Sequence, residues 1–329
     1  MTRRFCPSSF IQMTVLVSLT ALSTFSQAQP AAWPQKPIRI IVPFAAGGNT
    51  DGIARLTAER LTQSLGQPVL IENRAGAGGA IAADLVAKAA PDGYTLMMAA
   101  MPVLAILPTI TKTNFDSLRD FTPISIVGSN PFVMAVHKSV PANNAKELAD
   151  YAKKNPGKLN YASGGSGSVS HLSAALFVNR ANIDMTHISY KGGSPAVTDL
   201  LGGQVQMYFG NLSELAPHAA GGQIRIIGVS SGERARQLPD VPTVAESGFP
   251  GFKTITWNGL VAPAGTPSAV INRIALAVKD IVSIPDTAAK FSQMGVDPIG
   301  DTPAQFLATL KADLGVWSEA AKASNLKME

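Results

Sequence analysis

The amino-acid sequence predicts an α/β protein whose parallel sheets are covered by helices. Two observations predict it. A short apolar run, a loop heavy in Gly, Ser, Thr or Asn, and a segment of helical periodicity follow one another several times along the chain. That alternation is the pattern of strands joined by crossover helices. The C-terminal part then reads as helical, with two starts of the Thr-Pro type at Thr266-Pro267 and Thr302-Pro303.

The first residues read as an address. Arg3 and Arg4 precede an apolar stretch from Phe10 to Leu22, and Ser26-Gln27-Ala28 has the small-x-small form of a cleavage site. Residues 1–28 are therefore expected to be a cleaved signal peptide; the apolar stretch is shorter than the ~20 residues a membrane span needs. The single cysteine, Cys6, lies inside that segment. The mature chain would carry no thiol, which suits an oxidising compartment.

Beyond it, Ile38 to Phe44 is a strand. A loop Ala45-Ala46-Gly47-Gly48-Asn49-Thr50 leads into a helix with Ile53, Leu56, Leu61 and Leu65 on one face, stopped by Gly66 and Pro68. Val69 to Glu72 is a second strand, followed by a turn at Gly76-Ala77-Gly78-Gly79 and a helix through Leu85 to Ala89. Tyr94 to Ala100 is a third strand. In the centre, a helix at Glu147 to Lys154 precedes a strand at Lys158 to Ala162, the loop Ser163-Gly164-Gly165-Ser166-Gly167-Ser168, and a helix carrying Leu172 and Leu176. His187 to Tyr190 is again a strand. Lys191-Gly192-Gly193-Ser194 follows, with Ser194 expected as N-cap and Pro195 as first helical residue. Two α/β halves without a flexible linker imply domains connected by more than one strand.

Helix N-termini leave N–H groups unpaired and carry partial positive charge, so glycine-rich loops running into helices are suited to anions. The chain offers four, at residues 44–51, 76–80, 163–170 and 191–196. The Gly76 turn is the weakest, because its glycines also serve close helix packing. His171, opening a helix beside the serine loop, is a candidate ligand contact.

Other chemistries are poorly served. The net charge of +5 is carried by scattered residues, with no basic run interleaved with aromatics, which argues against nucleic acid. After Gly76 and Gly78 comes Ile81, and after Gly165 and Gly167 comes Ser170, so neither makes a dinucleotide fingerprint, and no cluster ends as a P-loop does. His137, His171, His187 and His218 lack metal-ligand spacing. No cofactor and no metal are expected. A secreted serine hydrolase using Ser194 or Ser166 is the enzyme alternative, but Pro195 removes the N–H that would build the oxyanion hole behind Ser194.

The runs IRIIVPFAAGGNTDGIAR, VLIENRAGAGGAIAA, PDGYTLM, LNYASGGSGSVSHL, ISYKGGSPAVTDLLGGQVQ, RQLPDVPTVAESGFPGF and WNGLVAPAGTP resemble the Bug or TctC-type periplasmic solute receptors of tripartite tricarboxylate transporters. The resemblance runs from about residue 36 to about 300. It implies a type II periplasmic binding protein fold, two doubly wound α/β domains around a ligand cleft, with residues 29–130 and 252–329 in one domain and 131–251 in the other. It further implies closure around a small organic carboxylate in the periplasm, delivery to membrane subunits, no catalysis, and a monomer. A sensory receptor of the same fold is the second reading. By this likeness the ligand would be held by Phe44, Ala46, Gly47, Gly48, Asn49, Thr50 and Asp51 of the first loop. Opposite them would stand Ser163, Gly164, Ser166, Ser168, His171, Lys191, Gly192, Ala196 and Gly210. Where such receptors usually carry two aspartates after GGQV, this chain has Gln206 and Gly210. On that ground a neutral-tailed mono- or dicarboxylate, aromatic acids included, rather than an amino acid, is the expected ligand.

Overall fold

The computed structural model describes residues 1–2, 33–130, 132–190 and 192–324. The expected signal peptide therefore lies, but for its first two residues, outside the described residues, and so does Lys191. The fold is that of the unit beginning at Pro34.

β1 (Ile38–Val42) leads through the first glycine loop into α1 (Asn49–Leu65). Gly66 ends α1 in the left-handed region at φ 72°, where a side chain on Cβ would be strained. β2 (Val69–Asn73), α2 (Ala80–Ala87) and β3 (Thr95–Ala100) complete the first βαβαβ run. All six residues of β3 are buried, as in a strand covered on both faces. A π-type turn at Pro102–Ile106 and α3 (Leu107–Ile110) follow, then the long β4 (Phe121–Asn130) and β5 (Phe132–His137).

The central repeat is α4 (Ala145–Lys154), β6 (Leu159–Ser163), α5 (Val169–Ala181), β7 (Met185–Ser189), α6 (Gly193–Leu201), β8 (Met207–Asn211), α7 (Leu212–Ala220) and β9 (Ile224–Val229). The chain returns through β10 (Thr256–Pro263), α8 (Ser268–Ser283), α9 (Pro285–Gln293), β11 (Asp297–Pro298) and α10 (Pro303–Ala323). Thr302 and Gln305 close a reciprocal capping box on α10, as the Thr-Pro pair predicts.

Two of the expected caps are corrected. Gly192, not Ser194, is the N-cap of α6, so Ser194 and Pro195 fall in its first turn, where a missing N–H costs no helical bond. At α8 the cap is Pro267, and the Thr266 hydroxyl instead donates to Pro263 O.

The strands form two sheets, in the orders β11-β4-β10-β3-β1-β2 and β7-β6-β8-β5-β9. The expectation of parallel sheets is also corrected. β10 runs antiparallel to β3 and β4, β11 is antiparallel to β4, and β5 is antiparallel to β8 and β9. The physical reason is the crossing. β4 passes almost directly into β5, and the return from β9 passes into β10, so each arriving strand runs against its new neighbours.

The crossings are tied at Ser230, which is fully buried. Its N–H donates to Phe132 O at 2.9 Å, and Thr254 N–H donates to Ser230 O at 3.0 Å. The Ser230 hydroxyl lies 2.9 Å from Phe132 O and 2.8 Å from Thr254 O, one proton serving two carbonyls. A second tie is made by α10, where Glu319 accepts two bonds from the Arg180 guanidinium of α5, at 2.9 and 2.8 Å.

Beneath α10 the fully buried Trp257 donates its indole N–H to Asp313 at 2.6 Å and packs edge-on against Phe306. Burial raises the Asp313 carboxyl from 3.8 to about 6, the Trp257 bond working the other way. A raised folded-state value means that the native protein binds this proton more tightly than the unfolded chain, so stability falls as pH rises from about 4 through about 6. Asp313→Asn keeps an acceptor without the charge. Denaturant titrations should show the variant gaining on the parent by about 2 kcal/mol between about pH 4 and about pH 7; a pH-independent difference would show that this carboxyl is not the source.

Candidate functional site

In α/β sheets, ligands gather beyond the carboxyl ends of the strands. A cleft of about 330 Å³ lies there, between the two sheets, lined by Phe44, Asn49, Thr50, Ala100, Pro102, Asn130, Phe132, Asn211, Glu214, Thr256, Trp257 and Asn258. The carboxyl ends of β1, β3, β4 and β8 open into it. So do the starts of β5 and β10, because those two strands run the other way.

From the first sheet, the loop 44–48 delivers α1 end-on. Gly47 adopts φ 86° and Gly48 is an N-cap with no side-chain bond. The N–H groups of Asn49, Thr50 and Asp51 make no bond among the described residues, since the first partner pair is Gly52 N–H to Gly48 O. Asp51 shapes this loop from beneath. It is buried and accepts from Gly47 N–H at 2.9 Å, Arg55 Nε at 2.9 Å and Asn73 Nδ2 at 2.9 Å. The Arg55 bond, above all, lowers its carboxyl to about 2, against the effect of burial. Asn73 also donates to Phe44 O.

From the second sheet, the two predicted loops stand side by side. Gly192 N–H donates to Gly164 O at 3.1 Å, and a Cβ on Gly164 would lie 3.3 Å from the Gly192 carbonyl carbon. Much of their polarity is consumed internally. The buried Ser163 hydroxyl bonds His187 Nε2 at 2.7 Å, and Ser168 caps α5 while donating to Gly165 O. His171 accepts Gly167 N–H at 3.1 Å and stacks on His187 with centroids 3.8 Å apart. Desolvation, then the neighbouring His187, lowers its imidazole from 6.5 to about 4. His171 thus supports the serine loop from below.

Of the predicted ligand residues, Phe44, Asn49 and Thr50 line the cleft, with Ala46, Gly47 and Gly48 exposed in the same loop. Ser166 is exposed at the tip of its loop, and Ala196 is buried in α6. Gly210 lies in β8 with Tyr208 beside it, and a Cβ there would come within 2.4 Å of the Tyr208 ring. The weak fourth loop serves packing: a Cβ on Gly79 would meet Val103 at 2.5 Å.

One premise of the ligand expectation is corrected by position. Gln206 sits at the opposite end of β8 from the cleft, accepting from Asn160 N–H and donating to Gly203 O. An acidic group there could not reach a ligand at Asn211.

Sequence reading missed Asn130, Asn211, Glu214, Thr256 and Asn258, which come from strand ends and a helix start without glycine-rich loops. Asn258 is nearly buried, with its Oδ1 unpartnered among the described residues. Asn211 heads α7 without capping it by its side chain. The only signal was the Trp257-Asn258-Gly259 run. No group of three His, Cys, Asp or Glu able to hold a metal occurs among the described residues.

Residues 53–325 match the family model described as tripartite tricarboxylate transporter family receptor. Protein BugT of Bordetella pertussis is 33% identical over 326 residues, covering 97% of this chain and 100% of that one. Rpa4515 of R. palustris, solved with adipate, is 33% identical with a TM-score of 0.72, covering 91% of this chain and 100% of that one. MatC of Rhodopseudomonas palustris, solved with bound malate, is 32% identical with a TM-score of 0.68, covering 88% and 99%.

Two outcomes follow from this geometry. Asp51→Ala strands Gly47 N–H and the Arg55 and Asn73 donors, so chemical unfolding should report a loss of about 2 kcal/mol at neutral pH. The loss should shrink as pH drops from about 4 toward 2, where the native carboxylate itself becomes protonated. For His171 the native form is neutral while the unfolded one charges, so stability should decline as pH falls from about 6.5 to about 4. His171→Gln should flatten that decline, and an unaltered slope in the variant would assign it elsewhere.

Proposed function

We propose, from the premise that this chain belongs to the tripartite tricarboxylate transporter receptor family, that it is a periplasmic receptor that closes around a small organic carboxylate. It would hand that ligand to the membrane subunits of a transporter and do no chemistry on it. The observation that carries the reading is the start of α1. Three unbonded N–H groups at a helix N-terminus open into a cleft, beside the Thr50 and Asn49 side chains and opposite Asn211. Such donors, already fixed by Asp51 beneath them, complement a carboxylate without an arginine.

The division into two moving domains, 29–130 with 252–329 and 131–251, is part of the proposal. It is supported by the separation of the strands, β1–β4 with β10 and β11 in one sheet and β5–β9 in the other. Closure would turn about the crossings near Ser230 and exchange water for protein donors around the anion. The relatives solved with adipate and malate support the choice of a small acid as ligand. The first-loop residues Phe44, Asn49 and Thr50, with Asn258 and Asn211 opposite, are the contacts we assign.

A thermal-shift screen of the purified mature chain against an organic-acid library tests this. A cognate acid at a hundred times its Kd contributes about 2.7 kcal/mol to the native state and should raise Tm by several degrees. Thr50→Val should abolish most of that rise while leaving the unliganded Tm nearly unchanged. A library without one saturable carboxylate, or turnover of activated esters lost in Ser194→Ala, would overturn the reading.

A further inference from the structure

None of the described residues of the second-sheet loops is among those that line the cleft, and a side chain from α7 is. Glu214, in the first turn of α7, lines the cleft, and its carboxyl leans on the start of α6. A Cβ on Gly193 would lie 2.7 Å from Glu214 Oε1 and 3.1 Å from the Tyr208 hydroxyl. The serine loop lies next to it: Gly192 N–H donates to Gly164 O at 3.1 Å, and a Cβ on Gly164 would lie 3.4 Å from Gly193 N. The order from the ligand space outward is thus Glu214, the α6 start, then the serine loop. A negative group of the protein itself already stands where the second half would otherwise offer amides and partial positive charge to an anion.

We propose that Glu214 is a specificity-determining residue that occupies the anion place of the second half and rejects ligands carrying a second carboxylate at that end. The inference rests on the carboxylate-receptor reading and narrows it to acids with one carboxylate, held at α1, and a neutral or cationic far end.

Four observations support it. Among the described residues that line the cleft, Glu214 is the sole ionisable one. Desolvation holds its carboxyl above the ordinary glutamate value, which marks this space as shielded from water, while the Asn211 N–H favours the charged form. The residue as a whole is exposed, lining the cleft and also a neighbouring groove with Ser194 and His218, but its carboxyl end lies against Gly193 and Tyr208. Finally, Gly210 cannot carry an acidic side chain without displacing Tyr208, so the acidic group of this wall comes from α7 and not from β8. A second like charge brought to within a few ångströms in this half-desolvated space is repelled by far more than in water.

The test is calorimetric titration at about neutral pH of the wild-type mature chain, Glu214→Gln and Glu214→Ala, with matched sets of acids. The sets are butyrate, γ-aminobutyrate and succinate, then hexanoate, ε-aminohexanoate and adipate. In the wild type the single-carboxylate members should bind at least about tenfold more tightly than the diacid of the same length, about 1.4 kcal/mol. In both variants the diacid should gain at least about tenfold relative to its partner, with unliganded Tm values showing that the variants fold. A wild type that prefers the diacid, or a ratio unmoved in the variants while binding persists, overturns this inference and leaves the receptor reading standing. Absence of binding by every acid to all three proteins overturns both.

Discussion

The structure depends on a double passage of the chain between two sheets, locked by one buried serine. Ser230 joins Phe132, just after the outward crossing, to Thr254, just before the return, through two backbone bonds and a shared hydroxyl proton. A buried carbonyl left without a donor costs as much as a lost hydrogen bond, so this pairing fixes where the crossings lie. Because both passages meet here, the carboxyl ends of the strands of both sheets open on the same space. The cleft, its lining and its facing helix starts are consequences of that tie.

Within the cleft, the two sides do different work. The α1 side presents bare N–H groups on a loop braced by Asp51, whose depressed carboxyl keeps a negative charge under the loop at any physiological pH. That arrangement is preorganised: donors already held in place need no reordering to meet an anion. The opposite side is braced just as firmly, by the stacked His171 and His187 and the Ser163 bond, yet its donors are mostly spent on each other. What it shows to the ligand is amide and carboxyl side chains from Asn211 and Glu214. On the proposed reading, the asymmetry would divide gripping from selecting.

Much of this was legible in residue order. Alternation of apolar runs, glycine loops and helical periods marked β1, β2, β3, β6 and β7 and the helices that follow the glycine loops, because each is a local consequence of backbone sterics and burial, whereas β4, β5, β8, β9 and β10 were not read from it. The first loop was equally readable: a strand, then Ala45-Ala46-Gly47-Gly48, then a helix can only deliver unpaired N–H groups to the strand's carboxyl end. Asp51 and His171 were expected as ligand contacts; the structure has each accepting a backbone N–H of its own loop, from Gly47 and Gly167.

What tertiary structure alone decided was everything set by distance between remote segments. Asn130, Asn211, Glu214 and Asn258 meet only because β4 and β8 end, and β10 begins, at the cleft, and only Asn258 carries a local mark, the Trp257-Asn258-Gly259 run. Likewise Gln206 and Gly210 are four residues apart in sequence but lie toward opposite ends of one strand, which separates the former from the ligand space altogether. Local chemistry determines which elements form and where donors stand exposed. Which side chains share the ligand is fixed by long-range pairing of strands, and no window of sequence contains that information.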